Sequence, residues 1–224
     1  MNTYFITGTD TDTGKTVAAC AFVQSLVKRE KNVAVMKPVA SGCYWQNGQL
    51  VNEDALNLMQ HSNTAFDYER VNPYTFEAAI APHIAATDNG VVIEKEKLMT
   101  AVEWFRQQPI DSLVIEGAGG WQLPLAPGLR MPEVVKDINA RVILVVGLKL
   151  GCLNHALLSL QSIRQEGCDV VGWIAVQTGP EPMPRQEENL ASLRELLCTQ
   201  ELAYIPYVPD WPEKDLTIYF RKHD

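Results

Sequence analysis

Apolar residues fall along this chain in two alternating patterns, short continuous runs and longer stretches with a single apolar face. Residues 3–8, TYFITG, form the first run, and the pattern predicts a strand there, followed by a helix over 15 to about 28. A second strand is predicted at 33–38, VAVMKP, closed by Pro38. After a loop with Ser41, Gly42 and Asn47-Gly48, a short helix carries Asp54, Leu56 and Met59. Irregular chain through Pro73 and Pro82 precedes a helix at about 95–107. Three more apolar runs follow, at 112–117, 141–147 and 170–176. The helix expected between the last two, about 154–166, is apolar on one face through Ala156, Leu157, Leu160 and Ile163. A helix at about 186–198 and a short strand at 203–206 complete the pattern.

Near-continuous apolar strands separated by helices predict an α/β fold, a parallel β-sheet with helices on both faces. Ligands of such sheets bind beyond the carboxyl ends of the strands. Four segments lie just past predicted strand ends: 8–16, 37–41, 116–120 and 147–154. They are expected to converge on one site.

The length of 224 residues suits one domain over 1–224 with a sizeable core. A net charge of −8 argues against a general nucleic-acid or anionic-membrane surface. The longest apolar run, 142–148, is too short to span a bilayer, and the N-terminus resembles no signal peptide. Five cysteines, none in a CxxC pair, read as reduced thiols, so a cytoplasmic location is expected. There is no internal repeat or low-complexity segment, and the terminal RKHD is too short to interpret.

The chemistry begins at TGTDTDTGKT, 7–16. Gly14-Lys15-Thr16 ends it as a phosphate-cradling loop ends, but the first glycine of G-x-x-x-x-G-K-[ST] falls on Thr9. Gly8 lies one residue further back, and Asp10 and Asp12 make the loop acidic. Because the loop follows a strand and enters a helix, a phosphate site at that helix start is expected. Lys15 would sit near the β- and γ-phosphates, and Thr16 would ligate Mg²⁺. Glu116, ending an apolar strand, is the expected carboxylate for that ion. Asp54 taken alone reads as a solvated helix charge. Lys37, held by Pro38 at a strand end, points into the crevice or snorkels at the surface. His83 and His155 read as structural, and the five tryptophans mostly as packing. No nucleophile–histidine arrangement or zinc-type spacing is present.

The stretches YFITGTDTDTGKT, KPVASG, NEDAL, VNPYTF, PHIA, VIEGAGGW, VILVVGLKLGCLNHALL and GWIA occur in an order that resembles the dethiobiotin synthetases, from residue 4 to about 180, with IPYVPD beyond. That family's loop reads G-T-D-T-x-x-G-K-T, so the resemblance accounts for the extra residue and the acid. It implies a P-loop NTPase-type fold and a step of biotin synthesis. 7,8-Diaminopelargonate, CO₂ (or bicarbonate as its source) and ATP with Mg²⁺ yield dethiobiotin, ADP and phosphate through a carbamate and a carbamic–phosphoric anhydride. The implied metal ligands are Thr16, Asp54 and Glu116, and the implied catalytic cations are Lys15 and Lys37. Thr11 and Ser41 are implied at the diamine and carbamate end. The resemblance puts Asp12, Thr13, Gly14, Val17, Gly117, Ala118 and Gly119 around the nucleotide phosphates and metal. It puts Val176, Gln177, Pro206, Tyr207, Val208 and Asp210 around the base. Gly151, Cys152, Leu153 and Asn154 are implied to hold the far carboxylate of the substrate from a partner subunit, which implies a homodimer.

Two departures from the family pattern stand out. The segment usually read E-P-T-S-P-H is AAIAPH at 78–83, and the adenine-reading asparagine after GWIA is Val176, followed by Gln177. Base discrimination by a side chain is then expected from Gln177 or not at all. Two other readings compete. A related P-loop amidoligase usually carries a further glutamine-hydrolysing domain, for which this length leaves no room. A partition-type ATPase switch has a second lysine inside the loop, where this chain has Asp10 and Thr11.

Overall fold

Six strands form one sheet in the order β12-β11-β10-β1-β7-β2, each neighbouring pair parallel, in a computed structural model that describes residues 1–29 and 32–221. In chain order the elements begin with β1 (Asn2–Gly8), α1 (Lys15–Val27), β2 (Val33–Met36) and β3 (Val39–Ser41). A hairpin of β4 (Tyr44–Gln46) and β5 (Gln49–Val51) follows, then α2 (Glu53–His61), α3 (Tyr68–Val71), β6 (Tyr74–Phe76), α4 (Pro82–Asp88) and α5 (Lys95–Arg106). Strand β7 (Ser112–Gly120), between β1 and β2 in the sheet, leads to β8 (Pro124–Ala126), β9 (Leu129–Arg130) and α6 (Met131–Asp137). The chain closes with β10 (Arg141–Gly147), α7 (Cys152–Gln165), β11 (Val170–Val176), α8 (Gln186–Leu197) and β12 (Glu201–Ile205). Two 3₁₀ turns, Trp211–Glu213 and Leu216–Tyr219, come last. Most of the terminal RKHD falls outside the described residues.

The sheet divides the core because successive strand residues point to opposite faces. On β10, Val142, Leu144 and Val146 join the layer under α5, α6, α7 and α8. Ile143 and Val145 join the layer under α1 and α2. The same period on β7 gives Val114 to the α1 side and Ile115 to the other, and therefore turns Glu116 toward α1 and α2. Helix α1 lies deepest, with Ala18, Ala19, Cys20, Ala21 and Val23 fully covered; small side chains let it approach the sheet closely.

The predicted strands and long helices are present, with ends shifted by a few residues. The sequence pattern misses helix α4, inside a segment expected to be irregular, and helix α6, where it predicts no element. Each is seven residues long and carries a proline in its first turn, where the missing N–H is tolerated. Two turns are too few for a 3.6-residue period to stand out. The β4–β5 hairpin turns through Asn47 and Gly48, both at positive φ (52° and 82°), as its Asn-Gly sequence favours. Among the described residues no helix is long and apolar enough to cross a membrane.

Candidate active site

The loop between β1 and α1 curls around its own backbone. A Cβ on Gly8 would lie 2.4 Å from Thr13 Oγ1 and 2.8 Å from the Asp10 carbonyl oxygen, so Gly8 fills the first-glycine role one residue early. Asp12 takes the extra residue in a left-handed conformation (φ 56°), and Gly14 does the same at the helix start (φ 79°). Lys15 Nζ donates to the Asp10 carbonyl at 2.9 Å, across the hollow of the loop. Burial first and the nearby charge of Lys37 second lower its pKa below the ordinary lysine value. Lys149, just past β10, reaches the rim of the loop and pairs with Asp10 Oδ2 at 2.9 Å.

Behind the loop lies a cluster drawn from α1, α2, β7 and the corner between β2 and β3. Thr16 Oγ1 is 2.8 Å from Asp54 Oδ1 and 3.0 Å from Glu116 Oε1, and its single proton serves one of them at a time. Lys37 Nζ donates to Glu116 Oε1 (2.7 Å), Asp54 Oδ2 (2.9 Å) and the Gly117 carbonyl (3.2 Å). Lys37 and Glu116 are 3% and 0% exposed, which removes the snorkelling alternative for Lys37. Burial opposes its charge, but Glu116 and then Asp54 outweigh burial and hold its pKa above the ordinary value. Burial also draws Glu116 toward its neutral form, with Lys37 pulling the other way. At Asp54 the Lys37 ammonium overcomes burial and lowers the pKa. Asp54 is thus no isolated solvated charge.

A cation fits this cluster. Thr16, Asp54 and Glu116 offer hard oxygens, and Glu116 Oε2 is buried without a hydrogen-bond partner. Among the described residues there is no group of three or more His, Cys, Asp or Glu able to hold a metal. Two carboxylates and a hydroxyl instead leave room in an octahedral shell for water and phosphate, the usual manner of Mg²⁺.

Loop and cluster open into a cleft of about 1270 Å³ at the carboxyl end of the sheet. Thr11, Asp12, Thr13, Gly14, Val17 and Ser41 line it, as do Ala118 and Gly119. Val176, Gln177, Pro206, Tyr207 and Val208 also line it, joined by Trp211, a tryptophan expected only in packing. Ala79, Ile80 and Trp121 add an apolar wall. Gly117 and Asp210 are not part of the lining. Gly117 backs the site, since a Cβ there would meet the Phe5 ring at 2.8 Å. Asp210 precedes the first 3₁₀ turn. Gly151, Cys152, Leu153 and Asn154 also lie outside this chain's own cleft. There Gly151 (φ 93°) opens α7, and Cys152 N–H donates to the Lys149 carbonyl, leaving the first-turn amides of Leu153 and Asn154.

Val176 and Gln177 are both committed within the protein. Val176 is buried, and a Cβ on Gly14 would touch its Cγ1 at 2.5 Å, so its methyl groups pack beneath the phosphate loop. Gln177 Nε2 donates to the carbonyls of Gly179 (2.9 Å) and Pro180 (3.2 Å). Its Oε1 accepts from Tyr204 and Gln186. Both amide hydrogens are used, so the expectation that Gln177 reads a base finds no free donor.

Residues 2–214 match a family described as an AAA domain. The chain is 82% identical over 222 residues to the ATP-dependent dethiobiotin synthetase BioD of Idiomarina loihiensis, covering 99% of this chain and 100% of that protein. The chain belongs to the dethiobiotin synthetase family. Membership extends to more distant relatives, such as the synthetase of Pseudoalteromonas translucida, 44% identical over 98% of this chain and 95% of the relative. Solved structures share the fold at much lower identity. The septum site-determining protein MinD with Mg-ADP from Pyrococcus horikoshii aligns at TM-score 0.57 and 16% identity, covering 97% of this chain and 93% of that one. A MinD from Aquifex aeolicus gives TM-score 0.57 at 15% identity, over 96% and 87%. These likenesses show the fold alone, in keeping with the parallel sheet.

Proposed function

We propose that this chain joins CO₂ to 7,8-diaminopelargonate and closes the ureido ring of dethiobiotin, with ATP as co-substrate and Mg²⁺ as cofactor. Family membership makes it an ATP-dependent ligase of biotin synthesis. The observation that carries the finer reading is the buried cluster in which Lys37 and Thr16 meet Asp54 and Glu116 directly behind the phosphate loop.

In this reading Thr16, Asp54 and Glu116 hold Mg²⁺, which when bound neutralises phosphate charge. Lys15 leaves the Asp10 carbonyl for the phosphates and stabilises charge on the transferring group. An amine of the substrate has captured CO₂ as a carbamate, and Lys37 faces its oxygen from the floor of the cleft. That oxygen takes the γ-phosphoryl group from ATP and ADP leaves. The second amine then attacks the carbonyl carbon, loses its proton, and phosphate departs with the carbamate oxygen. Ring closure is intramolecular, so holding the chain in place supplies much of the acceleration. Thr11 and Ser41 line the cleft, and the Ser41 Oγ, buried without a hydrogen-bond partner, supports their assignment to the reacting end of the substrate. Ala79, Ile80 and Trp121 offer the alkyl chain an apolar wall, which suits the loss of polar residues at 78–81.

The far carboxylate is held by the Leu153 and Asn154 amides of a second copy. Leu150, 94% exposed beside that turn, and half-exposed Ile80, Ile84 and Leu158 supply apolar surface for such a homodimer. Mass detection of dethiobiotin, with diaminopelargonate, ATP, Mg²⁺ and bicarbonate omitted in turn, tests the proposal. Product that forms without ATP or without bicarbonate would defeat it.

A further inference from the structure

Lys37 lies one residue past the last sheet-paired residue of β2, Met36, so the sheet no longer holds its backbone. A different segment does. Lys37 N–H donates to the Val71 carbonyl at 2.8 Å, and its carbonyl accepts from Asn72 Nδ2 at 2.6 Å. Pro38 follows and contributes no N–H, so these two bonds fix the direction in which the Lys37 side chain leaves the backbone.

The same segment reaches the helix that carries Asp54. Tyr68 Oη donates to Asn72 Oδ1 at 2.8 Å and accepts from the Asn52 N–H at 2.7 Å. Asn52 is the N-cap of α2: its Oδ1 accepts from Ala55 N–H at 3.3 Å, one residue after Asp54. Tyr68, Asn72 and Asn52 are all buried, at 8%, 3% and 7% exposure. Burial pushes the Tyr68 phenol up to about 12, which keeps it a donor throughout the working range. Each link is matched donor to acceptor, and such satisfied buried chains hold one geometry. The stretches NEDAL and VNPYTF meet in this chain of bonds.

We infer that Tyr68 and Asn72 are positioning residues that set the separation of Lys37 from Asp54, and through it the geometry of the proposed Mg²⁺ site. They touch no reacting atom. This rests on the assignment of Thr16, Asp54 and Glu116 as metal ligands. Removing the Tyr68 hydroxyl frees α2 and the Lys37 corner to move independently. Removing the Asn72 amide releases the carbonyl of Lys37 directly.

The test uses the full chain as Tyr68→Phe and Asn72→Ala, with Asn63→Ala for comparison. Asn63 Oδ1 accepts from Val33 N–H at 2.7 Å, at the opposite end of the same strand, far from the cluster. Three quantities are read: Tm without ligand, the Mg²⁺ concentration giving the half-maximal Tm rise with ADP, and kcat. All three variants lower Tm. Only Tyr68→Phe and Asn72→Ala raise the half-maximal Mg²⁺ and lower kcat, by about tenfold or more, as loss of outer support for a metal site does. If Asn72→Ala fails to fold, Tyr68→Phe, which deletes one oxygen, decides. Loss of Tm alone in Tyr68→Phe, with Mg²⁺ dependence and kcat like those of Asn63→Ala, overturns the inference. The assignment beneath it fails separately: wild-type protein would then show no Mg²⁺-dependent Tm rise with ADP.

Discussion

Replacing Lys37 with Met removes a cation in direct contact with both Asp54 and Glu116 and keeps most of the side-chain volume. Glu116 is 0% exposed, so its carboxylate is left buried with its ion pair gone. Breaking a buried pair from one side costs about 3–5 kcal/mol. At roughly 2–4 °C per kcal/mol for a chain of this size, ligand-free Tm falls by about 6–20 °C. Protonation of Glu116 limits the loss, which fixes its pH dependence. Without Lys37 the folded-state pKa of Glu116 rises further above its unfolded value, so the native state binds the extra proton. Stability is then retained at low pH and lost as pH rises through that pKa, and the deficit against wild type grows with pH. Adding Glu116→Leu removes the stranded charge and recovers most of the Tm, since an apolar replacement of a buried pair is often neutral or better. Turnover, by contrast, falls about a hundredfold or more in Lys37→Met and stays lost in the double variant. The assays are thermal unfolding from about pH 5 to 8 and dethiobiotin formation. A double variant no more stable than the single one would mean that lost packing, not stranded charge, destabilises the protein. Near-wild-type turnover in Lys37→Met would remove Lys37 from the reaction.

Because Val176 is apolar and both Gln177 amide hydrogens are committed, GTP and CTP should support dethiobiotin formation at measurable rates; a thousandfold or larger preference for ATP in kcat/KM would mean that other groups read the base. Lys15→Ala and Leu153→Pro, which deletes one of the two amide N–H groups proposed for the carboxylate, should each be nearly inactive alone, yet mixing them should restore one working site per heterodimer; no recovery, with heterodimers shown to form, would put the carboxylate contact within one chain. Asp215, lowered to about 2 by its bonds from Thr217 and Lys28, stabilises the last 3₁₀ turn against α1 above the ordinary carboxylate pKa and loses this as pH falls through about 2. The Tm difference between wild type and Asp215→Asn should therefore be flat near neutrality and shrink below about pH 4; a difference that persists unchanged in acid would contradict the linkage.

The six-stranded sheet was legible because its strands are buried on both faces and so read as continuous apolar runs; 142–148 is the plainest case. Helices α4 and α6 were not, since seven residues with a leading proline resemble a loop. Thr16, Lys15 and Glu116 could be read from their places at a helix start and a strand end. Asp54 could not be assigned without the family resemblance, because its meeting with Thr16 and Lys37 joins segments 38 and 17 residues apart. Tyr68 left no signal, and Asn72 only its place in the stretch VNPYTF. Tyr68 opens the four-residue helix α3 and Asn72 follows it, and only the fold brings them between Lys37 and Asn52. The commitment of Gln177 depends likewise on Tyr204 and on the loop carbonyls of Gly179 and Pro180, which no local pattern encodes.

The central claim is that a carbamate oxygen, held above Lys37, accepts the γ-phosphoryl group before the ring closes. The most direct measurement supplies bicarbonate labelled with ¹³C and ¹⁸O together with diaminopelargonate, ATP and Mg²⁺, and follows both labels by mass. The account predicts ¹³C in the ureido carbonyl of dethiobiotin, ADP and phosphate in equal amounts with it, and ¹⁸O from bicarbonate in the released phosphate. Dethiobiotin whose co-produced phosphate carries no bicarbonate oxygen, or ADP released without any dethiobiotin, would contradict it.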